Sequence, residues 1–247
     1  MDLIDEVMLQ TEMQYQLFGG AAADDTRFEK TFVFCNDQVL SEGFVCAEVL
    51  STEPFGIDLS HGWGPSSTPM RVTKSEGLVL HELNGRPAWE LYEEYIEGNR
   101  LDVSMEQTGV FLLNRILGIV SGNDHKLRVP LKKNSDGSLY CAAEVPQGAV
   151  VQIMESDDIS TISSGGIALE RARKKLGDQS VAGALVFECV ATRLRLGEKF
   201  AQEVASMQSA LGCSPLMGCN SYGQLARIHG QFSGMMDATA LACVIPR

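Results

Sequence analysis

The sequence has no surplus of basic residues. Its 32 aspartates and glutamates outnumber 20 lysines and arginines, which gives a formal net charge of -12. Because this charge repels phosphate backbones and anionic lipid surfaces, we expect no nucleic-acid partner. No run approaches the roughly 18 to 20 apolar residues that span a bilayer, and the first residues show no secretory signal pattern. A cytoplasmic protein without membrane insertion is therefore expected.

Several motifs of enzymes and metal sites are missing as well. The chain has no Gly-x-Ser-x-Gly elbow, no Gly-x-x-x-x-Gly-Lys-Ser/Thr loop and no Cys-x-x-Cys pair. The seven cysteines are scattered, which is typical of a reducing compartment. We therefore expect no enzyme. One catalytic alternative stays open, in which Cys189 or Ser221 is the reactive group, although Cys189 stands in an apolar run typical of a core.

Hydrophobic periodicity predicts an α+β fold, with largely antiparallel or mixed sheets covered by helices in layers. Asn84 and Pro87 suit the start of a helix, and glycines and prolines within residues 54–69 indicate an ordered loop. The predicted helices are the opening segment, residues 84–96, part of 104–120, 165–177 and 197–211. The predicted strands are residues 31–35, 39–50, 70–73, 78–83, 127–131, 138–145, 150–154, 182–189, 215–222 and 239–245.

Two distant turns carry small and polar residues suited to a ligand site. Gly19-Gly20 lets the backbone come close to a ligand or to a packed strand, and Asp24-Asp25 offers carboxylates for an amine or for an N-cap. Near the other end, Asn220-Ser221-Tyr222 follows an apolar strand and supplies hydrogen-bonding groups for a ligand or for a structural turn. His61 either ties down a rigid loop or binds a ligand.

Six segments across nearly the whole chain carry a family resemblance. They are Phe18–Asp25, Ser60–Pro65, Val72–Lys74, Glu82–Ala88, Cys189 with Arg193 and Leu196-Gly197, and Gly218–Gly223. In their order and spacing the sequence resembles the FIST family of intracellular sensory domains. The resemblance implies a partial FIST N-terminal domain over residues 1–85, without the family's usual N-terminal half-sheet, and a FIST C-terminal domain over 86–247. The chain is therefore expected to be a fragment or a shortened gene product.

Two positions depart from the family pattern. Gln224 stands where the family usually has a glutamate, so a charge that could bind a cationic group is missing. Residues 236–239 read Met-Asp-Ala-Thr where family members often have His-Asn-Cys-Thr. The chemistry of that histidine and cysteine is therefore not expected in this chain.

The resemblance implies a sensor that binds a small molecule, amino acids among the candidates, and that signals through a separate partner such as a histidine kinase. Residues 19–25 would meet residues 219–223 to line one cavity. Some bacterial members resemble haem-containing nitric-oxide sensors, so haem on His61 or His229 is an alternative. A scaffold that binds only protein is another, and it would expose a large apolar patch. The expected pocket residues are Gly19, Gly20, Asp24, Asp25, His61, Asn220, Ser221 and Tyr222.

Overall fold

The computed structural model describes residues 3–11, 14–101, 108–228 and 233–247. The helices in these ranges are α1 (Leu3–Gln10), α2 (Ala88–Gly98), α3 (Thr108–Asn114), α4 (Asp158–Lys174), α5 (Val190–Leu196) and α6 (Phe200–Leu211). The strands are β1 (Leu17–Gly20), β2 (Val33–Cys35), β3 (Gln38–Leu40), β4 (Gly56–Ser60), β5 (Gly64–Pro65), β6 (Met70–Glu76), β7 (Val79–Leu83), β8 (Arg86–Pro87), β9 (Ile116–Ser121), β10 (Asp124–Arg128), β11 (Pro130–Lys133), β12 (Leu139–Cys141), β13 (Val150–Glu155), β14 (Val181–Cys189), β15 (Leu216–Ser221), β16 (Gln224–Arg227), β17 (Ser233–Met236) and β18 (Ala240–Pro246). Among the described helices, none is long and apolar enough to cross a membrane.

The chain forms two compact units from interleaved segments. Unit 1 comprises residues 1–61, 162–235 and 239–247, and unit 2 comprises residues 62–161 and 236–238. Sheets and covering helices occur together in the chain, so the predicted α+β class is confirmed. The predicted domain division between residues 85 and 86 stays a prediction.

A four-stranded sheet in the order β15-β14-β18-β4 forms the centre of unit 1. β14 and β15 are parallel, so their carboxyl ends lie at the same edge of the sheet. Apolar residues of α4 and α6, such as Leu169 and Met207, share a buried cluster with Val186 of β14. Gly165 and Gly166 let the two helices come close, because a β-carbon at either position would overlap a side chain of α6. A sheet in the order β1-β16-β17 and the β2–β3 hairpin complete the unit.

Unit 2 is built on a nine-stranded antiparallel sheet. Its main path runs β10-β9-β13-β6-β7-β12-β11, while β5 pairs with β13 and β8 with β7. The helix α2 contributes Trp89, Tyr92 and Tyr95 to the hydrophobic core of this unit. The buried Tyr92 hydroxyl donates a hydrogen bond to the carbonyl oxygen of Arg115 (3.0 Å), which satisfies the polar end of an otherwise apolar side chain.

The loop predicted over residues 54–69 is wrong in part, because residues 56–60 form the fully buried strand β4. Gly56 and Asp58 look unfavourable for a strand, but both are accommodated. A β-carbon at Gly56 would overlap the carbonyl group of Ala172, and the Asp58 carboxylate pairs with the Lys175 ammonium group (2.9 Å). Packing against α4 and one ion pair therefore override the local composition.

Three further predictions need correction. The second extended run, predicted over residues 39–50 with a break near Gly43, ends at Leu40. A helix is predicted within residues 104–120, and α3 lies in this range. Residues 116–121 form the strand β9 instead. Residues 102–107 lie outside the described residues. Asn84 does not cap α2. It takes a φ of 53° in the turn after β7, and Pro87 occupies the N-cap position.

Candidate functional site

The two glycine-bearing turns meet in unit 1. β1 pairs with β16, which sets Gly19 opposite Leu225 and Gly20 opposite Gln224. Beyond the strands, the Ala21 amide donates a hydrogen bond to the carbonyl oxygen of Gly223 (2.9 Å), and the Tyr222 amide donates one to the carbonyl oxygen of Ala21 (3.1 Å). A backbone ladder therefore joins segments that are about 200 residues apart in sequence.

The Asp24 carboxylate fixes the loop that follows β1. It accepts hydrogen bonds from the amides of Phe28 (2.9 Å), Glu29 (2.8 Å) and Lys30 (3.0 Å), and from the Tyr222 hydroxyl. The Tyr222 hydrogen bond is the main cause that holds the pKa of Asp24 well below its usual value. The Phe28 ring stacks on the Tyr222 ring, with centroids 4.6 Å apart. Asp24 and Tyr222 thus fasten the two turns to each other.

A buried polar cluster lies at the carboxyl ends of β14 and β15. Ser221 is opposite Cys189 in the parallel register, and its hydroxyl oxygen accepts a hydrogen bond from the Gln224 amide (2.9 Å). A β-carbon at Gly20 would lie 2.8 Å from the Ser221 hydroxyl oxygen and from the Phe187 ring. Glycine is therefore required at position 20 by close packing.

A cavity of about 490 Å³ lies beside this cluster, and we call it the glycine cavity. Its wall consists of α1, β1, parts of residues 31–46, and the side chains of Phe187 and Leu225. Gly19 and Gly20 both contribute to it, so one of the two joined turns forms part of the wall. The lining is mostly apolar.

A second cavity, of about 260 Å³, is lined by β14, β15 and α6. We call it the acidic cavity, because the Glu188 carboxyl lies in its wall together with Val186, Met207, Cys219 and Asn220. Successive residues of a strand point to opposite faces. Phe187 of β14 therefore contributes to the glycine cavity, while its neighbour Glu188 contributes to the acidic cavity.

Two neighbouring carboxyl groups are buried here, namely Glu188 in the wall of the acidic cavity and Glu203, which is close to Glu188 but does not line the cavity. Glu188 is 3% exposed, and one of its oxygens accepts a hydrogen bond from the Cys189 amide (3.0 Å). Burial and the neighbouring Glu203 carboxyl raise the pKa of Glu188 well above its usual value. Glu203 is fully buried and accepts a hydrogen bond from the Ser164 hydroxyl (3.2 Å), and burial raises its pKa to about 7. The second oxygen of each carboxyl group has no hydrogen-bond partner.

Two family models match the sequence. A FIST C domain matches residues 88–227, and a FIST N domain matches residues 2–86. The chain belongs to the FIST family. FIST domains are generally sensor domains of signal transduction that bind small ligands.

Three similar proteins are each described as uncharacterized. A protein of Methanocaldococcus jannaschii is 28% identical over 159 residues, which are 61% of the FIST chain and 31% of that protein. A Mycobacterium bovis protein is 27% identical over 218 residues (86% and 56%), and a Mycobacterium tuberculosis protein is 26% identical over 230 residues (90% and 60%). The FIST chain thus spans between 31% and 60% of the length of these relatives. No solved structure matches it.

The predicted pocket residues of the FIST chain fall into separate places. Gly19 and Gly20 line the glycine cavity, and Asn220 lines the acidic cavity. Asp24, Ser221 and Tyr222 hold the junction of the turns and line neither cavity. Asp25 is exposed beside that junction.

Of the two predicted haem ligands, His61 can be placed relative to these cavities. His61 follows the end of β4, is half-buried and lines neither cavity, while His229 lies outside the described residues. Neither cavity therefore offers His61 as an axial ligand. Within the described ranges, no group of three histidine, cysteine or acidic side chains is placed to hold a metal ion.

Sequence reasoning missed the buried carboxyl groups of the FIST chain. Glu188 follows a nearly continuous apolar run, and Glu203 lies on α6 at helical spacing from the buried Met207 and Leu211. A single acid among buried positions is rare unless it is paired. This signal was available in the sequence for both residues, whereas their proximity depends on the tertiary fold.

Proposed function

We propose that this chain is a cytoplasmic small-ligand sensor, not an enzyme, and that it signals through a separate partner protein such as a histidine kinase. The glycine cavity is the observation that carries the proposal. Its wall contains β1 and Leu225 of β16, which lie far apart in sequence. Its volume of about 490 Å³ falls in the range of small-molecule sites in proteins. A ligand in this cavity would contact distant segments of the chain at once.

The lining of the glycine cavity favours a ligand with an apolar body. Phe18 and Phe187 present their rings there, with centroids 6.3 Å apart in an edge-to-face arrangement, and Leu225 adds aliphatic surface. Gly19 has no side chain, which leaves backbone polar groups accessible to a ligand. Small amino acids with apolar side chains belong to this ligand class. The polar side chains of the lining are uncharged, namely Thr31, Ser41 and Cys46.

The β2–β3 hairpin is the element that a bound ligand would bias. Within the described residues the hairpin pairs with no third strand, and parts of it and of the following residues line the glycine cavity. A two-stranded hairpin is only marginally stable by itself. Ligand contacts can therefore shift it between two positions, and its exposed Phe34 and Val39 would offer apolar surface to a partner.

Burial of the candidate nucleophiles favours sensing over catalysis. Cys189 is 4% exposed, and Ser221 is 2% exposed and engaged by Gln224. A catalytic thiol needs contact with its substrate. Alkylation of native Cys189 by iodoacetamide as fast as alkylation of the exposed Cys35 would contradict this part of the proposal.

A thermal-shift experiment on the full chain tests the ligand site. Compounds that bind only the native state raise Tm, so a panel of apolar amino acids and small uncharged metabolites is added to the wild-type chain. Ala21→Leu places bulk in the glycine cavity, whereas Ala23→Leu changes an exposed alanine that does not line it. We expect at least one compound to raise the Tm of the wild type and of Ala23→Leu, with a much smaller rise in Ala21→Leu. No rise with any compound, or an equal rise in Ala21→Leu, would overturn the proposal.

A further inference from the structure

We propose that the acidic cavity is a second binding site, and that it takes a small organic cation with a primary ammonium group. The site lies on the opposite face of β14 from the glycine cavity, so the inference goes beyond the proposed function. Its lining differs in kind, because a buried carboxyl group lies in its wall.

Glu188 supplies the negative charge. It is 3% exposed and lines the cavity, and its carboxyl group accepts hydrogen bonds from neutral donors, the Cys189 amide and the Thr192 hydroxyl. In the described part of the chain, no lysine, arginine or histidine pairs with Glu188. A buried carboxylate normally has a cationic or hydrogen-bonded partner, since removing it from water is strongly unfavourable. The missing cation is the feature that an ammonium ligand would supply.

Glu203 adds a second acid next to the first. It is held in place by the Ser164 hydroxyl of α4, across the close α4–α6 contact that Gly165 and Gly166 permit. Its Oε2 atom also lacks a partner. Two adjacent carboxyl groups without a counter-ion favour a ligand with positive charge over a neutral or anionic one.

Asn220 sets a further requirement on the ligand. Its side-chain oxygen accepts a hydrogen bond from the Arg193 guanidinium group (3.2 Å), which orients its amino group, and that amino group is buried without a partner. The free amino group is a hydrogen-bond donor. The Glu188 Oε2 and Asn220 Nδ2 atoms are both enclosed, with less than 1 Å² of accessible surface, so rotation of the two side chains toward the cavity would have to accompany binding of an ammonium group to Glu188 and of an oxygen acceptor to Asn220. A cavity of about 260 Å³ holds a ligand of only a few heavy atoms.

Protonation of the two acids should be coupled to binding. The titratable and charged groups around them are Glu188 on β14, Glu203 on α6, Cys219 on β15 and Arg193 on α5. Burial raises the pKa values of both glutamates. An ammonium ion binds the ionised carboxylates, so it displaces protons and its affinity rises with pH.

Calorimetric titration of the full chain with 4-aminobutan-1-ol tests the inference. Butane-1,4-diol is the matched control ligand, because it replaces the ammonium group by a hydroxyl. At pH 8 we expect the amine to bind at least about tenfold more tightly than the diol. Glu188→Gln should remove this preference, whereas Glu198→Gln, an exposed acid on the turn before α6, should keep it.

The inference is overturned if the wild type binds the amine and the diol equally, if it binds neither, or if Glu188→Gln keeps the preference for the amine. Glu188→Gln is isosteric and replaces a buried titratable group by a neutral one, so circular dichroism is expected to show a folded protein. As a second measurement on the wild type, the affinity for the amine should rise at least about tenfold from pH 5.5 to pH 8. A pH-independent affinity contradicts the role of the two acids.

The two proposals can fail separately. Apolar ligands that raise the Tm of the wild type but not of Ala21→Leu support the glycine cavity whatever the amine does. Conversely, amine binding that depends on Glu188 stands even if no apolar compound raises Tm.

Discussion

The two faces of β14 contribute to cavities of opposite character. On one face Phe187 borders the glycine cavity, whose shape depends on a residue without a side chain. On the other face Glu188 borders the acidic cavity, whose character depends on this buried carboxyl group and on the neighbouring Glu203. Adjacent residues of one strand can therefore contribute to two separate binding sites, because their side chains point in opposite directions. Substitutions in one cavity should therefore leave ligand binding in the other intact.

The largest effect is expected from filling the packed side of the glycine cavity. Gly20→Val places a branched side chain where even a β-carbon lies 2.8 Å from Ser221 and Phe187. Overpacking of this kind lowers the free energy of unfolding by about 2 to 3 kcal/mol, as measured by urea denaturation. At Gly19 no atom lies within 4 Å of the added β-carbon, so Gly19→Ala is the matched control. Equal destabilisation by both variants would contradict the packing account.

Gly20→Val also tests whether the two cavities bind their ligands independently. It should weaken apolar ligands of the glycine cavity and leave the affinity for 4-aminobutan-1-ol at pH 8 near the wild-type value. A parallel loss of both would show that the two cavities form one coupled site.

The next-largest effect is a pH dependence of the free energy of unfolding that is caused by Glu203. The folded-state pKa of Glu203 is about 7, above the ordinary value of 4.5. Between these values the unfolded chain has released a proton that the folded chain still holds, so stability falls as pH rises through this window. Glu203→Gln should therefore raise the free energy of unfolding at pH 8 by on the order of 2 kcal/mol and change it little at pH 4.

Urea denaturation at the two pH values measures this difference. Glu198→Gln is the matched control, because it removes an exposed acid, and it should show no comparable pH dependence. A stability difference between Glu203→Gln and the wild type that is equal at pH 4 and pH 8 would argue against a buried, proton-holding Glu203.

A smaller effect is expected at the junction of the turns. Tyr222→Phe keeps the ring that stacks on Phe28 and removes only the hydroxyl that holds the pKa of Asp24 low. A depressed carboxyl pKa stabilises the fold above the usual pKa, and this contribution is lost as pH falls. The variant should therefore have a slightly lower Tm at pH 7, and the difference should shrink below about pH 4. Tyr140→Phe changes an exposed tyrosine and should show neither effect.

Sequence reasoning succeeded where the pattern is local. The apolar run of β14 and the amphipathic pattern of α6 follow from periodicity, and the small residues at Gly19-Gly20 and Ser221 marked the junction. It failed where tertiary contacts decide. β4 is buried although it contains Gly56 and Asp58, because α4 packs too closely for any side chain at position 56 and Lys175 neutralises Asp58.

The structure brings the two predicted turns together, and the ligand-binding role of their residues stays a prediction. The two turns do meet, but Asp24 and Tyr222 bond to each other, a pairing that spacing cannot show across about 200 residues. Glu188 and Glu203 belong to different elements, so no local pattern reveals that they share one environment. Their proximity comes from the packing of α6 over β14.

Two separate binding sites are tested most directly with one thiol in each cavity. Cys46 lines the glycine cavity and is exposed, and Val204→Cys places a thiol on the α6 wall of the acidic cavity. Alkylation of both thiols of this variant by iodoacetamide is followed by mass spectrometry with and without 4-aminobutan-1-ol at pH 8. We expect the amine to slow alkylation at position 204 at least about threefold and to leave Cys46 unchanged. Equal slowing of both thiols, or of neither, would contradict the account of two separate sites on the faces of β14.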